Sequence, residues 1–128
     1  MSAKSNYLEL KVLDHFLGTA STTAPSAVYL SLHTANPDED GSGTEVSGNG
    51  YSRQAVTFAS ASGGSASSNS VEEFTASGGS FGTVTHFGIW DASSSGNLLY
   101  YGALTASKTI ADGDTLRFAS GAITITEA

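Results

Sequence analysis

Residues 84–104 have the sequence VTHFGIWDASSSGNLLYYGAL, and this stretch decides the fold. Two apolar runs of β-forming residues flank a polar segment, Asp91 to Asn97, whose Asp, Ser, Gly and Asn are typical of turns. The pattern predicts a β-hairpin with a wide loop. Because neighbouring side chains of a strand point to opposite faces, we expect Phe87 and Ile89 in a core and Trp90 exposed or at an interface.

Short apolar runs separated by turn residues recur on both sides of this hairpin. They are residues 27–33, 51–58, 71–74, 115–118 and 122–126. The first run alternates apolar and polar residues, which predicts a half-buried strand. We interpret the Gly/Ser-rich residues 59–70 and residues 108–114 as turns, loops or connections. The whole pattern predicts a mainly β fold, an antiparallel β-sandwich or barrel-like domain.

Residues 5–17 form the one convincing helical pattern. Three leucines recur at helical spacing, Leu10, Leu13 and Leu17, while the charged residues fall elsewhere. We expect Asn6 to cap this N-terminal amphipathic helix and Gly18 to end it. The apolar face is expected to lie against a sheet or a neighbouring molecule. The candidate interface residues are Leu10, Leu13, Phe16, Leu17, Trp90 and Tyr101.

Length and composition narrow the possibilities further. A chain of 128 residues predicts a single domain, residues 1–128, with the helix at 5–17 and a β-rich body at 27–126. The formal net charge of -7 repels phosphate, so we expect no nucleic-acid partner. The chain has no cysteine, which excludes disulfides and thiolate metal sites. No apolar run resembles a signal peptide or a membrane span, so we expect neither secretion nor membrane association.

The acidic segment Asp38 to Glu45 partly matches a calcium-binding loop. Asp38, Asp40 and Ser42 have the spacing of the first three ligands. The twelfth position is Asn49, however, where such loops carry a bidentate carboxylate. We therefore favour a solvated acidic loop over a calcium site.

Other residue types that catalyse reactions or bind metals are present, but not in the arrangements that those functions need. His15, His33 and His86 are far apart in sequence, and the last two could meet only if their strands pair. The carboxylate pairs Glu72–Glu73 and Asp112–Asp114 lie beside predicted turns, which favours solvated pairs over a glycosidase site. We predict no enzymatic activity, no catalytic residues, no cofactor and no metal.

Parts of the sequence resemble small β-rich modules of tailed-phage virions, notably tail-fibre and tail-collar fibre proteins. The resemblance is carried by Thr85–Asp91 (THFGIWD), by Gly96–Leu99 (GNLL) and by Gly102–Leu104 (GAL), and it extends upstream through residues 51–58 and 30–37. It covers most of the chain. It implies a structural protein of the virion, assembled in the host cytoplasm, that contacts other virion proteins and copies of itself, in trimers by analogy with phage fibres.

Three functions remain open at this point. The leading hypothesis is a tail-fibre or tail-associated assembly module of a bacteriophage. The first alternative is a capsid decoration (cement) protein of the phage head, which the small size also fits. The second is a carbohydrate-binding receptor module or depolymerase for a host surface glycan, which would need aromatic residues such as Phe87, Trp90, Tyr100 and Tyr101 displayed together.

Overall fold

The computed structural model describes residues 2–127. The elements in chain order are β1 (Ser2–Lys4), α1 (Asn6–Phe16), β2 (Val28–His33), β3 (Gln54–Val56), β4 (Ser65–Ser67), β5 (Glu72–Thr75), β6 (Gly82–Trp90), β7 (Leu98–Ile110), β8 (Thr115–Phe118) and β9 (Thr124–Thr126). All strand pairs are antiparallel. The prediction of a mainly β, antiparallel fold with one N-terminal helix is confirmed, and the fold is sandwich-like without a closed barrel in these residues.

The predicted hairpin is formed by β6 and β7. Gly88 pairs with Tyr101 across it, and the Asp91 carboxylate closes the loop by accepting hydrogen bonds from the Asn97 backbone and side-chain amides at 2.7 and 3.0 Å. β7 is longer than expected, because its last residues pair with the start of β6. Residues 108–110, interpreted as part of a connection, are therefore strand. Lys108 and Thr109 are exposed and Ile110 is buried, and one apolar residue gave no burial period in the sequence.

One five-stranded sheet, in the order β1-β7-β6-β2-β3, is accompanied by two small sheets, β4-β9 and β5-β8. Apolar residues of all three sheets share one core. Its members include Leu30, Leu32, Val56, Phe74, Val84, Phe87, Ile89, Leu116 and Ile125. The expected core positions of Phe87 and Ile89 are thus confirmed.

The Gly/Ser-rich segment contains a strand that the sequence pattern did not predict. Gly63 and Gly64 adopt positive φ angles of 61° and 83° and form the expected turn. β4 follows directly and pairs with β9, with Ala66 opposite Ile125. Ser and Ala carry little β-propensity, so only the partner strand makes this segment extended.

The prediction of a half-buried β2 holds for Val28 and Tyr29, but it is wrong from Leu30 to His33, where both faces of the strand are covered. Leu30 and Leu32 lie in the core, while Ser31 and His33 on the opposite face have no exposed surface. The covering group on that second face is Trp90, whose ring stacks on His33 with 6.4 Å between ring centroids. Alternation of residue types could not reveal this cover, since it comes from another strand.

The helix begins one residue after its cap, which is Ser5 and not Asn6. The Ser5 hydroxyl accepts a hydrogen bond from the Leu8 amide at 3.2 Å, while the Asn6 amide donates to the Glu39 carbonyl at 2.8 Å. Ser5 takes the cap because its amide and hydroxyl are also bonded to the β7 backbone. Gly18 follows the helix with φ of 84°, as expected. No helix within residues 2–127 is long and apolar enough to cross a membrane.

Candidate functional site

The apolar side of α1 lies open to solvent. Its four residues Leu10, Leu13, Phe16 and Leu17, called the helix face below, are each between 53% and 77% exposed. Leu8 and Val12 are half-buried on the other side of the helix, which packs against β7. No residue of α1 is fully buried. Because large apolar side chains clustered on a surface mark an interaction site, the helix face is a candidate site for another protein.

Tyr101 lies near this helix, as a member of the same candidate interface should. It is half-exposed and sits opposite Ala3 in the pairing of β1 with β7. Partial burial raises the pKa of the Tyr101 phenol, and the carboxylates of Glu39, Asp38 and Glu9 raise it further.

Trp90 does not belong to this surface. It is only 8% exposed, so the first of its two expected positions, an exposed one, is wrong, while the second, at an interface, stays a prediction. Its indole nitrogen donates a hydrogen bond to the Ser31 hydroxyl at 2.8 Å, and the guanidinium of Arg53 lies 3.9 Å from its ring centroid. The tryptophan is thus enclosed between β2 and an arginine from a distant part of the chain.

Arg53 is the centre of a polar cluster formed with Glu45, Tyr51 and Trp90, called the arginine cluster below. Its Nε and Nη2 donate to the two oxygens of Glu45, both at 2.9 Å. The Tyr51 hydroxyl donates to the same carboxylate at 2.6 Å. Burial alone would raise the pKa of Glu45, but these hydrogen bonds and the positive charge outweigh it and hold the pKa below its ordinary value.

The same guanidinium also holds the hairpin loop in place. Arg53 Nη1 donates to the backbone carbonyls of Ala92 and Ser95, at 3.0 and 2.8 Å. Sequence reasoning missed this role. Two features of the sequence could have drawn attention to Arg53. It is one of only five Lys and Arg in the chain, and it lies two residues from Tyr51, so both side chains are on the same side of an extended segment. Neither residue pointed to Glu45 or Trp90 as a partner.

His33 and His86 do meet, because β2 and β6 place them directly opposite each other. Nε2 of His33 is 2.8 Å from the Ser31 hydroxyl, which also accepts the bond from Trp90. This Ser–His contact is fully buried and therefore cannot reach a substrate. Within residues 2–127, no group of three or more His, Cys, Asp or Glu is placed to hold a metal ion.

We expect the buried His33 to make the protein less stable in mild acid. Burial lowers the pKa of His33 below 6.5, Arg53 and His86 act in the same direction, and Glu45 opposes them. The unfolded chain therefore takes up a proton near pH 6.5 while the native chain resists it. The free energy of unfolding should fall by about 1 kcal/mol between pH 7.5 and pH 5.5. Urea unfolding at a series of pH values measures this change.

The variant His33→Gln, which cannot titrate, provides the control. Its free energy of unfolding is expected to vary less over the same range, whatever its absolute value. The carboxylates with lowered pKa, such as Glu45, change the free energy of unfolding only as the pH falls below their ordinary pKa near 4.5. They therefore do not affect the comparison between pH 7.5 and pH 5.5. An equal pH dependence in both proteins would contradict a role for His33.

Hydrogen bonds between backbone amides and side chains of the same segment hold the acidic loop in its conformation. The Asp38 amide donates to the Asn36 side chain, and the Ser42 amide donates to the Asp40 carboxylate, both at 2.9 Å. Hydrogen bonds from Ser42 lower the pKa of Asp40. The last carboxylate of the segment, Glu45, is bound by Arg53. Asp38, Glu39 and Asp40 are exposed, as expected for a solvated acidic loop, whereas Glu45 is half-buried against Arg53 and does not fit that expectation.

The carboxylate pairs are separated or used in turns. Glu72 is buried and Glu73 is exposed, because they point to opposite faces of β5, so the expectation of a solvated Glu72–Glu73 pair is wrong for Glu72. Asp112 accepts a hydrogen bond from the Gly78 amide at 3.0 Å, and Asp114 accepts one from the Ala111 amide at 3.1 Å. Neither pair faces a common groove in the manner of a glycosidase site.

Comparison with protein families identifies a relative of this chain. A family model described as "Podophage GP4 fiber I protein gp80" matches residues 3–126, nearly the whole chain. No curated protein matches the sequence. The matched range includes α1, the helix face and every residue of the arginine cluster.

Proposed function

The chain belongs to this podophage fibre family, a family of structural proteins of the virion, and from this premise we propose that it is a tail-fibre assembly module working through protein–protein contacts. In this proposal, residues 1–128 act as a single domain without enzymatic activity. Its partners are copies of itself, in a trimer, and neighbouring virion proteins, joined during assembly in the host cytoplasm. We place it in the tail rather than among head decorations, because the family is one of fibres.

The observation that carries the proposal is the exposure of the helix face. Four large apolar side chains within the eight residues 10–17 are unfavourable in water, and fully burying each of them against a partner would contribute about 1.5–3 kcal/mol. The β-body has no need of them, since the core is complete without any residue of α1. A surface that is costly to expose and unnecessary for the core fits a subunit contact.

The alternative of glycan binding finds less support in the geometry. Trp90 and Phe87 are buried, on opposite faces of β6, so they do not form a platform with Tyr100 and Tyr101. The carboxylates that would serve a depolymerase are bound in turns or separated by a strand. Protein contact is therefore the function that the arrangement of side chains favours.

Replacing Leu13 and Phe16 together by glutamine is expected to weaken assembly by at least about ten-fold, because each lost contact exceeds the 1.4 kcal/mol that corresponds to a factor of ten. Glutamine keeps the helix propensity, so the fold should persist. The measurement is the amount of this chain in purified particles, by quantitative mass spectrometry, after complementation of a phage that lacks the gene.

The matched control is Val71→Gln, which removes an exposed apolar side chain outside the helix. This variant should be incorporated like the unmodified chain. Circular dichroism and thermal unfolding of the purified variants establish that both are folded. Normal incorporation of the Leu13/Phe16 variant would refute the helix face as the assembly contact.

A further inference from the structure

The first sixteen described residues form an arm that is attached mainly through the backbone. In this arm, residues 2–17, β1 pairs with the edge of β7, where Ala3 is opposite Tyr101. Ser5 adds a hydrogen bond from its amide to the Leu99 carbonyl at 2.9 Å, and Lys4 forms an ion pair with Glu127 at 2.7 Å. The attachment is specific in register, yet besides this short strand at the sheet edge it consists of the half-buried side of α1 on β7 and one hydrogen bond from the Asn6 amide to Glu39.

The rest of the protein does not depend on the arm for its core. The hydrophobic core consists of residues between Leu30 and Ile125, and no residue of the arm belongs to it. The arm does protect the edge of β7, whose backbone groups between Leu98 and Gly102 would otherwise be open to pairing. A β1 strand from the same copy or from another copy can form the same backbone hydrogen bonds with this edge.

The segment that joins the arm to β2 is hydrogen-bonded to α1. Residues 17–26 are all exposed. Thr19 and Ala20 donate backbone hydrogen bonds to the Asp14 carbonyl, at 2.9 and 3.1 Å, and the Thr22 amide donates to His15 at 3.3 Å. These three hydrogen bonds all end on α1. The nine residues 18–26 can extend over about 30 Å, which allows the arm to reach a neighbouring molecule.

We propose that the arm is exchanged between copies of this chain, so that β1 of one copy pairs with β7 of the next. The inference rests on the proposed self-association. Every contact of the arm is kept in the exchange, and only the path of the exposed connection changes, which makes exchange a low-cost route to association. A head-to-tail exchange that closes after three copies gives the trimer.

Two cysteine variants that report on the exchange are Ala3→Cys and Tyr101→Cys. Directly opposite residues of antiparallel strands have Cα atoms about 4.5–5.5 Å apart, within the range that a disulfide spans. The chain has no cysteine of its own, so no other disulfide can form. We would co-express the two single variants in equal amounts, with tags of different length, oxidise the purified protein and separate it on a non-reducing gel.

If the arm is exchanged, each disulfide links one Ala3→Cys chain to one Tyr101→Cys chain. About half of all chains should be linked in this way, because a chain of either variant has the other variant as the relevant neighbour in about half of the randomly assembled pairs. The control pair Ala3→Cys and Val71→Cys should give only background. Carrying Ala3→Cys and Tyr101→Cys in one chain should then produce covalent multimers.

Disulfides confined to single chains in that double variant would overturn the exchange, and so would free thiols at both positions. Sedimentation of the same samples separates the two proposals. Association without disulfides between chains overturns the exchange alone, whereas a monomer at all concentrations overturns the proposed self-association as well.

Discussion

Replacing Arg53 by alanine should lower the free energy of unfolding by about 3 kcal/mol, because it leaves a partly buried carboxylate without its cation. The Arg53 side chain is 7% exposed and that of Glu45 is 25% exposed. We expect the low end of the range for broken buried ion pairs, since water still reaches Glu45. The variant also uncovers one face of Trp90 and frees the carbonyls of the hairpin loop. Urea unfolding followed by tryptophan fluorescence measures the change.

The chain supplies a matched control in Arg117. This residue lies 3.8 Å from Glu73, with side chains 56% and 58% exposed. Because exposed ion pairs contribute little, Arg117→Ala should change the free energy of unfolding by less than about 1 kcal/mol. Arg53→Lys keeps the charge but loses the two-pronged contact and the planar stacking, so we expect an intermediate loss. Equal effects of Arg53→Ala and Arg117→Ala would contradict the importance of the arginine cluster.

Replacing Phe74 by alanine should destabilise the protein by about 3–5 kcal/mol, the usual range for removing a buried phenylalanine. Phe74 is 2% exposed and belongs to β5, in one of the small sheets. Its ring lies 6.0 Å from that of Tyr51 and 6.2 Å from that of Phe118. The substitution therefore leaves a cavity where the small sheet meets the segment that leads into β3. Domains of ordinary stability have about 5–15 kcal/mol in total, so this loss is a large fraction of the free energy of unfolding.

Phe16→Ala is the matched control, since it removes the same ring from the helix face. Phe16 is 77% exposed, and we expect a change within about 0.5 kcal/mol in the isolated chain. A large loss for Phe16→Ala would mean that the helix face packs within its own chain. A small loss for Phe74→Ala would mean that the small sheet β5-β8 is not part of the cooperative core.

The sequence was a good guide to the apolar face of the helix and a poor guide to the hairpin tryptophan. A 3.6-residue period located Leu10, Leu13 and Leu17 on one side, and the structure exposes them together with Phe16. For Trp90, strand alternation correctly placed it on the face opposite Ile89. It could not predict that Arg53 and Ser31 would cover that face, since these residues are distant in sequence.

The sequence by itself determined the local elements and the class of protein: the β6–β7 hairpin, most of the other strands, the helix and the resemblance to phage fibres. These depend on periodicity, on turn residues and on motifs, all of which act over a few neighbouring positions. Only the tertiary structure decided which faces are covered. The pairing of β4 with β9, the burial of Ser31 and His33, and the enclosure of Trp90 by Arg53 all join residues far apart in the chain. Burial and charge pairing depend on such distant contacts, and a local pattern of residue types carries no information about them.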